Sequence, residues 1–60
     1  MDMHLTVEFA SCPALHFRAE QGVAERFADE MRRWGSAVVT IDGNVTPELR
    51  RLPCWELYLP

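Results

Sequence analysis

Apolar residues recur at every second position early in this chain and at every third or fourth in its middle. That change of period constrains its architecture more than any other feature. Met3, Leu5, Val7 and Phe9 alternate with His4, Thr6 and Glu8, the period-two pattern of a half-buried strand rich in β-branched and aromatic residues. Ser11-Cys12-Pro13 breaks the pattern, and a second alternation sets Leu15, Phe17 and Ala19 against His16, Arg18 and Glu20. Two strands joined by a short proline-containing turn form an antiparallel hairpin. From Gln21 to Trp34 the period becomes helical. Val23, Phe27, Met31 and Trp34, with Ala24 and Ala28 beside them, make one apolar stripe. Glu25, Asp29, Arg32 and Arg33 take the opposite face, with Arg26 and Glu30 on its flanks. Gly35 is a stop signal, and arginines in the last turn suit the helix dipole.

The remaining chain predicts two more strands. Ala37 to Ile41 is β-branched and ends at Asp42-Gly43, a strong turn signal. Thr46-Pro47-Glu48 resembles a helix start, with a threonine cap and proline in the first turn, so a short helical turn is expected over 47–52 before Pro53 stops it. Trp55, Leu57 and Leu59 alternate with Glu56 and Tyr58 and predict a last strand, an edge strand closed by Pro60. The expected order is β-β-α-β-β. This is an α+β fold of two layers, with a single helix packed on a mostly antiparallel four-stranded sheet, and residues 1–60 form one small domain.

A domain of 60 residues lies near the lower limit for folding without a staple and has to bury most of its apolar side chains. A cofactor cavity of a few hundred Å³ would hollow out that core, so no cofactor is expected. Cys12 and Cys54 are expected to be free thiols of a reducing compartment, with a disulfide between them as the alternative. No apolar run approaches the length of a membrane span. The start, Met1 to Glu8, lacks the basic residues of a signal peptide. A cytoplasmic protein is therefore expected, with Asn44-Val45-Thr46 read as loop sequence rather than as a glycosylation site.

The patterns that would carry chemistry are weak. His4, His16, Cys12 and Cys54 are the soft or imidazole ligands, but they lack the paired short spacing of structural zinc sites. They read as two solvated strand histidines and a small buried thiol. Cys12 with His4 or His16 lacks the elbow and oxyanion loop of a nucleophile site, and Gly22, Gly35 and Gly43 stand alone rather than in a phosphate cradle. The nine carboxylates occupy positions that read as exposed, where none gains the desolvation that raises a catalytic pKa. No catalytic or metal residues are assigned, and the chain reads as a non-enzyme.

An acidic exterior remains. Nine carboxylates face six arginines and no lysine, for a formal charge of -3. Nucleic acid is not the expected ligand, because a phosphate binder needs a basic stripe. The candidate partner-binding residues are Glu8, Glu25, Asp29, Glu30, Asp42 and Glu56. Together they are an array of carboxylates suited to a basic cleft on a protein partner, gaining association rate from electrostatic steering. The alternative is a solvated face whose charges pair among themselves, Asp29 with Arg32 or Arg33 and Arg26 with Glu30. Tyr58 and Val38 offer a second contact surface, that of a generic interaction module such as a small subunit or an antitoxin-like partner.

In its size, acidity, compact α+β pattern and lack of catalytic residues, the whole chain resembles small phage-encoded anti-CRISPR proteins, inhibitors of type I-C systems in particular. The resemblance implies a monomeric decoy in the host cytoplasm. Such a decoy binds the surveillance complex at its positively charged DNA-entry or PAM-reading surface and blocks target DNA. The helix departs from that pattern, since its face is of mixed charge.

Overall fold

The computed structural model describes residues 1–35 and 37–59. In chain order its elements are strand β1 (Asp2–Glu8), strand β2 (Leu15–Glu20), helix α1 (Gln21–Trp34), strand β3 (Val38–Asp42), strand β4 (Arg50–Arg51) and a 3-10 turn (Trp55–Tyr58). The sheet order is β3-β1-β2-β4. β1 pairs antiparallel with both neighbours, while β2 and β4 are parallel. This is the α+β arrangement of one helix on a mostly antiparallel four-stranded sheet.

Strand β1 is central, and its alternation sorts the layers. Leu5 lies opposite Phe17 on one side and Ile41 on the other, and Val7 lies opposite Leu15 and Val39. These inward positions are on the helix side, where Leu5 and Val7 of β1 are sealed, at 0% and 1% exposure. The core comprises Leu5, Val7, Ala19, Val23, Ala24 and Leu52, ringed by partly buried residues that include Phe17, Phe27, Trp55 and Tyr58. Small residues dominate the helix contact: Val23, Ala24 and Ala28 are its buried positions, and alanines let the backbone of α1 lie close to the sheet.

β2 passes into α1 without a loop. Glu20 ends the strand and caps the helix, its carboxylate accepting from the Gly22 N–H at 3.1 Å, where an anion also complements the helix dipole. Gly35 closes the helix at φ 68°, its N–H donating to the carbonyls of Met31 and Arg32. That left-handed conformation is one glycine adopts without a Cβ penalty. The apolar stripe is buried or packed on the core only as far as Phe27 and Ala28. Trp34, expected at its end, is 73% exposed, and its indole Nε1 donates to Glu30 one turn back at 3.2 Å.

After the turn at Asp42-Gly43, two expectations are corrected. No helix forms over 47–52. A single turn at Pro47–Glu48, with the Leu49 N–H donating to Thr46 O, leads into β4. Here the open edge of β2 wins over the helix-start signal. Arg18 Nε donates to Leu49 O at 3.1 Å, the Leu52 N–H donates to Arg18 O at 2.9 Å, and the Leu52 side chain is buried. Nor is Trp55–Leu59 a strand. Cys54 adopts a left-handed conformation, φ 56°, and turns the chain into the 3-10 segment. A three-residue period then places Trp55 and Tyr58, not Trp55 and Leu57, on the same side. Both are half-buried, whereas Leu57 is 76% exposed. Tyr58 meets Phe27 edge-on at 5.3 Å, and the Arg51 guanidinium lies over the Trp55 ring at 4.2 Å. The proline expected to close that segment, Pro60, lies outside the described residues.

Two substitutions separate the observed core from the sequence stripe. Leu5→Ala is expected to cost about 2–5 kcal/mol, most of what a domain of this size holds. Trp34→Ala should change stability by no more than about 0.5 kcal/mol, as for other exposed positions. Urea unfolding followed by circular dichroism measures both, and a large loss in Trp34→Ala would contradict this packing.

Candidate functional site: the open face of the sheet

The helix covers one face of the sheet and leaves the other to polar residues. Asp2, His4, Thr6 and Glu8 of β1 project there, beside His16 and Arg18 of β2 and Val38, Thr40 and Asp42 of β3. Pairing sets them in rows: His4 lies between Asp42 and Arg18, and Thr6 between Thr40 and His16. Asp2 takes Arg18 in an ion pair at 3.4 Å.

The six candidate carboxylates do not form one array. Glu25, Asp29 and Glu30 do share α1, but its arginines answer them. Asp29 accepts from Arg32 at 3.4 Å and lies 4.0 Å from Arg33, and Glu30 lies 3.7 Å from Arg33. Glu25 accepts from Gln21. Glu8 and Asp42 are on the sheet. Asp42 is opposite His4, and Glu8 is at the other end of β1 in a shallow depression shared with Val38 and Arg32. Glu56 belongs to the 3-10 turn rather than to a strand beside Glu8. Tyr58 packs on Phe27 and is not an outward anchor, whereas Val38 is exposed.

Charge is therefore divided unevenly between the layers. On α1, Glu25, Asp29 and Glu30 are balanced by Arg26, Arg32 and Arg33. Beyond the sheet turn, Glu48 and Glu56 are balanced by Arg50 and Arg51. β1, β2 and β3 carry Asp2, Glu8, Glu20 and Asp42 against Arg18, while Arg50 and Arg51 form β4 at the edge of the same sheet.

A hydrogen-bonded chain crosses the same face. Asp42 Oδ1 accepts from the Asn44 N–H at 2.8 Å and from His4 Nδ1–H at 2.9 Å. The other nitrogen of His4, Nε2, is 2.9 Å from His16 Nδ1, and Thr6 Oγ1 lies 3.5 Å from each. The two rings stack with centroids 5.1 Å apart and planes inclined by 22°. Since a neutral imidazole donates through one nitrogen and accepts through the other, the Asp42 carboxylate selects the tautomer of His4. The Asn44 backbone N–H, and after it the His4 hydrogen bond, hold the Asp42 carboxyl below its ordinary value of 3.8. His4 and His16 read from the sequence as separate solvated side chains. Their shared parity on neighbouring strands was visible there, but their meeting depends on register. Cys12 and Cys54 are free, as expected, yet both are exposed rather than buried.

Neither a protein-family model, nor a curated protein, nor a solved structure matches this chain.

Because folding lowers the pKa of Asp42, its ionised form favours the native state. That stabilisation is complete above the ordinary carboxylate range and disappears as pH falls through the lowered folded value. Thermal unfolding between pH 6 and pH 2, roughly spanning the carboxylate range, should show a shallower acid-side decline for Asp42→Asn than for the parent. Parallel declines would remove Asp42 from the pH response.

Proposed function

We propose that this chain is a binding domain and not a catalyst. It docks the open face of its sheet on a cationic surface of a protein partner and thereby keeps nucleic acid from that surface. The observation that carries the reading is the division of charge. The arginines of α1 match its carboxylates in number, whereas on the open face of β1, β2 and β3 the acids Asp2, Glu8 and Asp42 stand beside the single arginine Arg18. An excess of acids on one exposed face steers a basic partner during encounter and aligns it before contact. Weak exposed ion pairs such as Asp2–Arg18 exchange partners at small cost.

The resemblance to small anti-CRISPR proteins supplies the partner class, a DNA-binding surface of a type I surveillance complex, and with it a host cytoplasmic location and a monomeric state. Within the candidate residues, Glu8 and Asp42 then make the contact. Glu25, Asp29 and Glu30 serve the solubility of α1.

A second reading is a generic interaction module using the C-terminal segment. The exposure of Leu57, at 76%, favours that reading, with Leu57 rather than Tyr58 as the anchor.

Association kinetics with a purified type I-C surveillance complex at low and high salt test the two. Docking through the sheet predicts an association rate that falls steeply with salt, because exposed charges are screened, and that drops about tenfold on Glu8→Arg. Charge reversal at Asp29 should slow it less. Binding that ignores salt and is lost on Leu57→Ala would transfer the assignment to the C-terminal segment, and the absence of binding would remove this partner class.

A further inference from the structure

We propose that His4 and His16 form a binding site for a divalent transition-metal ion of the Cu2+ or Ni2+ type, held between His4 Nε2 and His16 Nδ1 on the open face of the sheet. The two nitrogens are 2.9 Å apart. Metal–imidazole bonds of about 2.0–2.1 Å meeting at a right angle place their nitrogens about 2.9 Å apart, so the spacing is that of two adjacent ligands in a tetragonal site. A tetrahedral ion would need them about 0.4 Å further apart. A tetragonal ion therefore asks for less separation of the two nitrogens than a tetrahedral one, and Cu2+ stands highest in intrinsic affinity.

The surroundings of His4 are those of a metal ligand. Its Nδ1–H donates to Asp42 Oδ1 at 2.9 Å, and Asp42 is itself fixed by the Asn44 N–H at 2.8 Å. A carboxylate that orients a histidine in this way commits Nδ1 as the donor and leaves the Nε2 lone pair for the ion. Asp42 is accordingly a positioning residue and not a ligand. His16 is exposed and can turn its ring, now inclined by 22° to that of His4, until both lone pairs point to one position. Thr6 Oγ1, 3.5 Å from each nitrogen, borders that position.

Binding moves one proton within His16. Without metal, His4 Nδ1 keeps its proton on Asp42, so the N–H between the rings is that of His16 Nδ1. The ion takes its place, His16 passes to the tautomer protonated at Nε2 by exchange with solvent, and both ligands remain neutral imidazoles. Protons compete with the ion for those nitrogens, so acidification weakens binding. Among the described residues no group of three metal-ligating side chains converges, so water fills the other coordination positions. The four acids on the strands provide the negative field that draws a dication to this face.

The test is a titration of the full chain with CuCl2 and with NiCl2. Cys12 and Cys54 are replaced by serine, since both thiols are exposed and bind or reduce the same ions. Calorimetry should show one saturable ion per chain, and the Cu2+ electron paramagnetic resonance spectrum should show two imidazole nitrogens. His16→Ala and His4→Ala should each weaken binding at least tenfold and remove one nitrogen from the spectrum. Asp42→Asn should weaken it about 10–100-fold while both nitrogens remain. Retention of full affinity in His16→Ala, which leaves the amino terminus and the core unchanged, would place the ion elsewhere and overturn the site. A titration with no saturable one-to-one binding would do the same.

Discussion

The double pairing of β1 is the constraint on which the rest of this structure depends. One seven-residue strand is hydrogen-bonded along both edges, so its odd positions are enclosed by two neighbours and a helix while its even positions line a face that nothing covers. Core and candidate site are therefore two readings of one register. The alignment that sets Leu5 between Phe17 and Ile41 also sets His4 opposite Asp42 and Thr6 opposite His16. A slip of one residue would expose Leu5 and Val7 and bury the histidines at the same time. Selection for a sealed core thereby also holds the polar row in place.

A core this small is completed by segments that would be peripheral in a larger domain. Buried helix positions are mainly alanine, so α1 supplies closeness more than volume. Volume comes from the end of the chain, where Leu52 enters the core and Trp55 and Tyr58 cover its rim. Arg51 over Trp55 and Tyr58 edge-on to Phe27 fix those rings by aromatic contacts rather than by a sheet ladder. The 3-10 turn acts as a plug at one end of the helix layer. The ion pairs on α1 contribute little to stability in water. Their main consequence is electrostatic, because they cancel the field of the helix.

That cancellation gives the two faces of the molecule different chemistry. The helix matches its acids with arginines in number, whereas the open face of β1, β2 and β3 sets Asp2, Glu8 and Asp42 beside Arg18 together with two imidazoles in hydrogen-bond contact with Asp42 and with each other. The proposed protein partner and the proposed metal ion would both be drawn there for the same electrostatic reason, although the ion would depend on two nitrogens and the protein on distributed charge. An ion held between His4 and His16 would offset most of the excess negative charge of that face.

Much of the architecture was legible in the residues themselves. The hairpin, the helix from Gln21 to its Gly35 cap, the third strand and the fold class all follow from periodicity and stop signals, because each element there buries one face and repeats its own period. The end of the chain was not legible in that way. Pro47 and Thr46 carry a helix-start signal, and Trp55, Leu57 and Leu59 alternate. The open edge of β2 nonetheless drew Arg50 and Arg51 into a parallel pair, and Cys54 turned the following residues into a three-residue period. The candidate site divides similarly. Composition determined that the chain is acidic, and alternation determined that His4, Thr6 and His16 share a polar face. Only the tertiary structure decided that Arg26 turns to the Leu59 carbonyl rather than to Glu30 and that Asp42, His4 and His16 touch. Sequence spacing specifies a face within one element, whereas contact between elements depends on strand order and register, which arise from packing the whole chain at once.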